Sequence, residues 1–180
     1  MKKIEDGLSL ASKKGLFTSF FPQLLQNKLH YTQIKIGEVC ENTKGAVCCM
    51  QKIDFNKGWM CKCLTREEKA YAVTLPHDAM LSEPRTQEST GEGNIGWYIG
   101  GDYEYTKNFV VPEEYKDKKV LIEFEGVYHN GEVYINGKKA AYRPYGYTNF
   151  YVNTDGFFRY GQENEIKVIA HNADQPNSRW

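Results

Sequence analysis

The sequence predicts an antiparallel β-sandwich, and two neighbouring strand patterns joined by a hairpin turn carry that prediction. Val120, Ile122 and Phe124 alternate with polar residues, which places their side chains on one face of a strand. A second alternating segment ends at Asn136-Gly137, a dipeptide that suits a type I′ turn because both central residues need a positive φ. Residues 138–142 can then return as the antiparallel partner of that segment.

Further strand patterns alternate with turn residues between residue 50 and the end of the sequence. The expected strands, of which the first can also be a strand pair, are 53–63, 72–75, 103–111, 119–127, 132–142, 148–152 and 164–170. Residues 66–71 fit one helical turn, and the polar, glycine-containing segment 82–96 fits a long loop. Seven or eight short strands at this spacing are typical of a sandwich or jelly roll.

Residues 1–49 differ from the rest and are predicted to form an atypical extension before a domain at 50–180. Leu16, Phe20 and Leu24 have helical spacing, which predicts a short amphipathic helix interrupted by Pro22. Two interpretations stay open for this extension. It is either an upstream read-through before a native start at Met50, or a genuine segment that packs on the sandwich.

The charge balance argues against two classes of partner. The chain has 23 basic and 23 acidic residues, so we expect neither nucleic acid nor a membrane surface as its partner. No segment approaches the roughly 20 apolar residues of a membrane-spanning helix. The N-terminus lacks a convincing secretory leader, and we therefore expect a cytoplasmic location.

The cysteines and histidines do not predict a metal site or a cofactor. The chain has five cysteines without C-x-x-C spacing, and Cys61 and Cys63 are predicted to share one face of a strand as free thiols. Residues 91–96 satisfy the pattern G-x-G-x-x-G. A polar segment precedes them and Trp97 follows, where a nucleotide site would have a strand and a helix.

Six ordered segments resemble the N-terminal sugar-binding domain of glycoside hydrolase family 2, which includes β-galactosidases, β-glucuronidases and β-mannosidases. The segments are DFNKGW, LPHDAM, GGDYEYTKNF, FEGVYHNGEVYINGK, YRPYGYTNF and HNADQPNSRW. The resemblance implies a jelly roll of the galactose-binding-domain-like type. It also implies an immunoglobulin-like domain and a TIM barrel that follow and hold the two catalytic carboxyl groups. We therefore predict no catalytic residue here, and a chain that is truncated before those domains and inactive by itself.

The resemblance also implies substrate-binding residues. Asn94, Asn172 and Asp174 match loops that contact the terminal sugar in some members of the family, and amide and carboxylate groups suit sugar hydroxyls. The structural alternative is that Asn94 serves a turn and that Asp174 orders the segment before Pro176. His171 departs from the acidic residue often found at its position, which puts carboxylate recognition there in doubt.

Two further pairs of residues have structural alternatives to a functional role. Arg179 and Trp180 are predicted to pack at the interface with the following domains. Alternatively, Trp180 fills the core and Arg179 is solvated. His77 and Asp78 follow a strand end, and hydrogen bonding to neighbouring loops is the preferred interpretation over a catalytic dyad.

Three functions follow from these observations. The first is an accessory domain of a retaining β-glycosidase that is β-galactosidase-like. The second is a stand-alone carbohydrate-binding module without enzymatic activity, which needs an exposed aromatic platform from Trp97, Tyr98, Tyr103 or Tyr145. The third is an inert truncated product. Fold class alone does not choose among them.

Overall fold

The computed structural model describes residues 28–29, 32–40, 47–89 and 91–173. This part of the chain forms twelve β-strands and three short 3₁₀ helices. The strands are β1 (Lys28–Leu29), β2 (Thr32–Cys40), β3 (Val47–Asp54), β4 (Trp59–Cys63), β5 (Tyr71–Val73), β6 (His77–Asp78), β7 (Gly100–Val110), β8 (Lys119–Phe124), β9 (Gly131–Ile135), β10 (Lys138–Arg143), β11 (Phe150–Asn153) and β12 (Glu163–Ala173). The 3₁₀ helices are Ala79–Ser82, Glu92–Ile95 and Glu113–Tyr115.

Two sheets form the sandwich, which confirms the predicted fold class. The larger sheet has six strands in the order β10-β9-β12-β7-β4-β5, and the smaller has four in the order β11-β8-β2-β3. The short strands β1 and β6 form a separate pair. All pairings between these strands are antiparallel.

The alternation read from the sequence matches the burial of the side chains. Val120, Ile122 and Phe124 on β8 are fully buried, and Ile166 and Val168 on β12 face them from the larger sheet with no exposed surface. Burying such aliphatic and aromatic side chains stabilises the fold by roughly 1.5–3 kcal/mol each. The core therefore lies between the two apolar faces that the period-2 patterns predicted.

The predicted hairpin is confirmed in detail. Lys138 pairs with Ile135, so the loop between β9 and β10 has two residues. Asn136 and Gly137 have φ values of 50° and 78°, as a type I′ turn requires. The Asn136 side chain also donates to the Phe157 carbonyl oxygen at 2.8 Å, so the turn is anchored to a neighbouring loop.

Two local predictions were wrong. Residues 53–63 are neither one strand nor a hairpin, because β3 belongs to the smaller sheet and β4 to the larger. The chain crosses between the sheets at Gly58, whose φ is 76°. Residues 66–71 do not form a helical turn, since Tyr71 begins β5 and pairs with Cys61.

The smaller sheet includes residues on both sides of the predicted domain boundary. Strand β2 lies between β8 and β3, and its residues 32–37 pair with β8. The boundary predicted between residues 49 and 50 therefore falls inside β3 and not in a linker. The amphipathic helix predicted around Leu16–Leu24 lies outside the described residues.

The strand directions give the sandwich two distinct ends. The hairpin end contains the 136–137 turn and the segment 154–162. The loop end contains the segments 64–70, 84–89 with 91–99, 125–130 and 144–149, together with the last residues of β12. The described parts of both segments that the sequence links to a sugar belong to the loop end.

Candidate functional site

The loop end brings the described parts of the predicted sugar-contact segments together. Asn94 lies in the 3₁₀ helix that precedes β7, and Asn172 lies near the end of β12. These positions share one end of the larger sheet because β7 and β12 pair along their length, with Asn172 opposite Gly101. Asp174, Arg179 and Trp180 lie outside the described residues, and their roles stay predictions.

Two adjacent glycines allow the backbones at the loop end to approach closely. A Cβ atom on Gly100 would lie 2.5 Å from the Asn172 carbonyl oxygen, and one on Gly101 would lie 2.6 Å from Thr65 Oγ1. Gly100 also has a φ of 73°, which L side chains rarely adopt. The half-buried Asn172 side chain has its Nδ2 at 4.0 Å from Met80 Sδ. Gly100 thus allows the close approach of β7 to Asn172, and Gly101 allows that of the Thr65 side chain.

A charged network links three segments of the loop end. The Arg66 guanidinium donates to the Gly100 carbonyl oxygen at 3.1 Å, to Tyr103 OH at 3.1 Å, to Glu68 Oε1 at 2.9 Å and to Glu83. Tyr103 OH also donates to Glu83. Burial raises the pKa of the Glu83 carboxyl, while the neighbouring Arg66 acts to lower it. The network holds an ionisable carboxyl group in a largely shielded position beside the predicted site.

His171 pairs with a carboxylate on the neighbouring strand. Its Nδ1 lies 2.9 Å from Asp102 Oδ2, and its backbone N–H donates to the His129 carbonyl oxygen at 3.0 Å. His171 and Asp102 lie opposite each other in the β7–β12 register, and both side chains are partly exposed. An acidic group is therefore present beside position 171, although it comes from β7.

His77 and Asp78 have the structural contacts that the sequence favoured. His77 Nδ1 lies 3.0 Å from Tyr105 OH, and the Asp78 side chain accepts from the Met80 backbone N–H at 3.2 Å. Asp78 thereby caps the 3₁₀ helix Ala79–Ser82. Burial lowers the pKa of His77. Both residues thus stabilise the segment that leads from β6 through this 3₁₀ helix to the loop end.

The aromatic residues named for a platform have different environments. Tyr103 is only 3% exposed and belongs to the core, so its place in an exposed platform was wrong. Trp97 is 39% exposed and Tyr145 is 55% exposed. Tyr147, which the sequence reasoning missed, lies 5.6 Å from Tyr145 between ring centroids. The closely spaced tyrosines of the YGY segment could have indicated this pair.

The remaining surface features of the described residues are shallow or structural. An open pocket of about 500 Å³ is lined by residues 62–69 beside the Arg66 network. Within the described ranges, no three His, Cys, Asp or Glu residues are grouped to hold a metal ion. No helix in that part of the chain is long and apolar enough to cross a membrane. Cys61 and Cys63 are buried free thiols on one face of β4.

Comparison with curated proteins finds relatives that are named as β-galactosidases. A β-galactosidase of Bacteroides ovatus is 34% identical over 139 residues, which cover 72% of this chain and 16% of the relative. A β-galactosidase of Thermoanaerobacter pseudethanolicus is 45% identical over 103 residues, or 57% of this chain and 13% of the relative. The chain thus spans less than a fifth of the length of these two curated relatives.

Solved structures of glycosidases share the same fold. A β-glycosidase from Bacteroides vulgatus matches with a TM-score of 0.63 and 32% identity, over 71% of this chain and 18% of that structure. A family 2 glycosyl hydrolase from Bacteroides cellulosilyticus matches with a TM-score of 0.63 and 27% identity, over 70% of this chain and 18% of that structure. These matches confirm the jelly roll of the galactose-binding-domain-like type.

A family model gives the membership directly. The model described as the glycosyl hydrolase 2 galactose-binding domain-like family matches residues 67–179, which is more than half of the chain. This range includes β5 to β12 and the whole described part of the loop end except its first residues. The resemblance read from the six sequence segments is confirmed, and the chain belongs to the galactose-binding domain-like family of glycosyl hydrolase 2.

Proposed function

We propose that this domain acts as the sugar-binding accessory domain of a retaining, β-galactosidase-like glycosidase. The observation that carries the proposal is that the Asn94 segment and the described part of the Asn172 segment lie at the same end of a family 2 sandwich. The relatives named as β-galactosidases support the choice of sugar class. In this function the domain binds and orients the terminal sugar of a β-glycoside, and it supplies no catalytic group.

The chemistry of the loop end suits that role. The side-chain amides of Asn94 and Asn172 can each donate to and accept from sugar hydroxyls, and the Asp174 carboxylate accepts only. Retaining hydrolysis needs two carboxyl groups about 5 Å apart on either side of the scissile bond. We propose that a TIM barrel supplies both groups, and that an immunoglobulin-like domain and this barrel are the partners of the sandwich, contacted through Arg179 and Trp180.

The charge balance argues against two other classes of partner. A chain with equal numbers of basic and acidic residues has no net attraction for polyanions, so the proposal includes neither nucleic acid nor a membrane surface. We propose a cytoplasmic location for the protein. Free, buried thiols at Cys61 and Cys63 support a reducing compartment.

The proposal is tested by turnover of aryl β-glycosides. We expect the purified 180-residue chain to release no product from aryl β-galactosides, β-glucuronides or β-mannosides, because the two catalytic carboxyl groups belong to another domain. The control is a family 2 relative assayed at the same protein concentration. Turnover that survives repurification and co-elutes with the 180-residue chain would show that the domain has chemistry of its own.

A stand-alone carbohydrate-binding module is the second candidate, favoured by the exposed rings of Trp97, Tyr145 and Tyr147. Sugars bind such rings through their apolar faces, and the module then needs no further domain. Titration of the chain with β-linked oligosaccharides, followed by tryptophan fluorescence, separates the two candidates. Saturable millimolar or tighter binding that is lost in Trp97→Ala or Tyr145→Ala favours the module. No binding by the isolated chain favours the accessory domain, in which the barrel has to complete the sugar site.

A further inference from the structure

We propose that Arg66 is a positioning residue that holds the two ends of the Glu83–Gly100 segment together and thereby positions the 3₁₀ helix Glu92–Ile95, which contains Asn94. The segment leaves the 3₁₀ helix Ala79–Ser82 at Glu83 and joins β7 at Gly100. The role given to Asn94 rests on the proposed function. The closure of the segment depends only on contacts within this chain, so it can be tested separately.

Both ends of the segment contact one guanidinium group. Arg66 Nη1 donates to the carbonyl oxygen of Gly100 at 3.1 Å, and Nη2 donates to the carboxylate of Glu83. The backbone of Gly100 is also hydrogen-bonded to the Glu83 side chain. The ends are thus joined directly and through Arg66, which is the geometry of a compact loop whose ends lie close together.

The guanidinium is itself fixed by two further contacts. Its Nε donates to Glu68 at 2.9 Å, and Nη2 lies 3.1 Å from the hydroxyl of Tyr103, a core residue of β7. The Glu83 side chain is only 10% exposed, so solvent screens this ion pair less than an ordinary surface pair. A planar fork with several donors can bridge separate acceptors in a way that a lysine ammonium cannot.

Contacts within the segment transmit the closure toward its tip. The Thr86 N–H donates to the Trp97 carbonyl oxygen at 2.9 Å, and Ser89 Oγ donates to the Tyr98 carbonyl oxygen at 2.7 Å. The Arg85 guanidinium lies 5.6 Å from the centroid of the Tyr98 ring. These contacts pair the two legs of the loop between the Arg66 contact and the tip. The relative position of the legs therefore determines where the 3₁₀ helix that contains Asn94 lies.

Amide hydrogen exchange of the 180-residue chain tests the closure without any ligand. We expect Arg66→Met to raise the exchange rate of the Thr86 amide, which bonds across the two legs of the loop, at least about tenfold, because hydrogen bonds to charged groups shift an opening equilibrium by that order. The matched control is Lys69→Met, which removes a cation from an exposed position of the same 64–70 segment. Its Thr86 amide should exchange at the wild-type rate.

The amides of Ile166 and Val168 on β12 report whether each variant is folded. If Arg66→Met also raises the exchange of these β12 amides, the test is made with Arg66→Lys instead. Lysine keeps the charge and most of the packing, but its ammonium group cannot reach both ends of the loop. The inference is overturned if the folded Arg66 variants exchange at Thr86 as slowly as Lys69→Met. Failure of the proposed function alone would look different: the Arg66 variants would lose protection at Thr86 as expected, but the loop would have no effect on sugar recognition.

Discussion

The two ends of the sandwich use polar side chains in opposite ways. At the hairpin end, Asn164 is 1% exposed and its side chain makes four hydrogen bonds. Its amide nitrogen donates to the carbonyl oxygens of Arg159 at 2.8 Å and Gln162 at 3.0 Å. Its amide oxygen accepts from the Arg159 backbone N–H and from the Asn136 side chain, both at 2.8 Å. At the loop end, Arg66, Asp102 and His171 are charged or ionisable groups that keep partial access to solvent.

This difference separates stability from recognition. A buried neutral amide with all its partners inside the fold stabilises one conformation and offers nothing to a ligand. Partly exposed ionisable groups stabilise the fold less, and they remain available for exchange with an incoming polar group. For these polar side chains, we therefore expect substitutions at the hairpin end to change mainly stability, and substitutions at the loop end to change mainly the geometry of the site.

The largest effect is expected at the hairpin end. Asn164→Ala should lower the free energy of unfolding by about 3 kcal/mol, because it removes four hydrogen bonds of a side chain that is almost fully buried. Urea unfolding of the chain measures the change, with the exposed Asn153→Ala as the control. A loss as small as that of Asn153→Ala would end the distinction between the two ends.

A pair of glycines separates crowding from backbone strain. Gly100 and Gly137 both have a positive φ, but a Cβ on Gly100 meets the Asn172 carbonyl oxygen at 2.5 Å, whereas one on Gly137 meets no atom within 4 Å. Gly100→Ala should therefore cost about 2 kcal/mol or more, and Gly137→Ala about 1 kcal/mol. Equal losses in urea unfolding would mean that the close approach at the loop end is unimportant.

The third prediction concerns the pH dependence of stability. Burial lowers the pKa of His77, so the folded protein binds this proton less tightly than the unfolded chain. The contribution of His77 is fully present above a pH of about 6.5 and is lost as the pH falls through the lower folded-state value. Between pH of about 7.5 and about 5.5, wild type should lose more stability in urea unfolding than His77→Gln. Equal losses would contradict the assignment.

The smallest effect is expected for the pair on β7 and β12. His171→Asn should change the free energy of unfolding by less than about 1 kcal/mol, because the contact between His171 and Asp102 is partly exposed to solvent. Differential scanning calorimetry at neutral pH measures it. A loss comparable to that of Asn164→Ala would show that the loop end also carries global stability.

Much of the fold could be predicted from local patterns. The alternation in β8, β9 and β12 and the Asn136-Gly137 turn are local consequences of strand pleat and turn geometry, and both were confirmed. The pattern cannot show whether a turn stays in one sheet. For that reason the crossing at Gly58, which separates β3 from β4, was missed.

The N-terminal strand shows another limit. Residues 33–36 alternate between polar and apolar side chains, but they lie in the segment 1–49, which was assigned to an extension because it differs from the rest of the sequence. Their pairing with β8 joins residues that are far apart along the chain, and local reasoning does not reveal such partners.

The site was only partly predictable for the same reason. Asn94 and Asn172 could be named because they lie in segments with a family pattern, and strand pairing then brought those segments together. Arg66 belongs to no such segment, and its partner Glu83 is 17 positions away in the sequence. Only the folded chain shows that one guanidinium reaches both ends of the loop.

An exchange of domains tests the central claim most directly. The sandwich would replace the matching segment of the Bacteroides ovatus β-galactosidase, and aryl β-galactoside hydrolysis by the chimera would be followed with Asn94→Ala, Asn172→Ala and Asp174→Ala. We predict an active chimera in which these substitutions raise KM at least about threefold, while the hairpin-end control Asn153→Ala leaves KM unchanged. A folded, active chimera whose KM is unaffected by all three substitutions would contradict a sugar-contact role for the loop end.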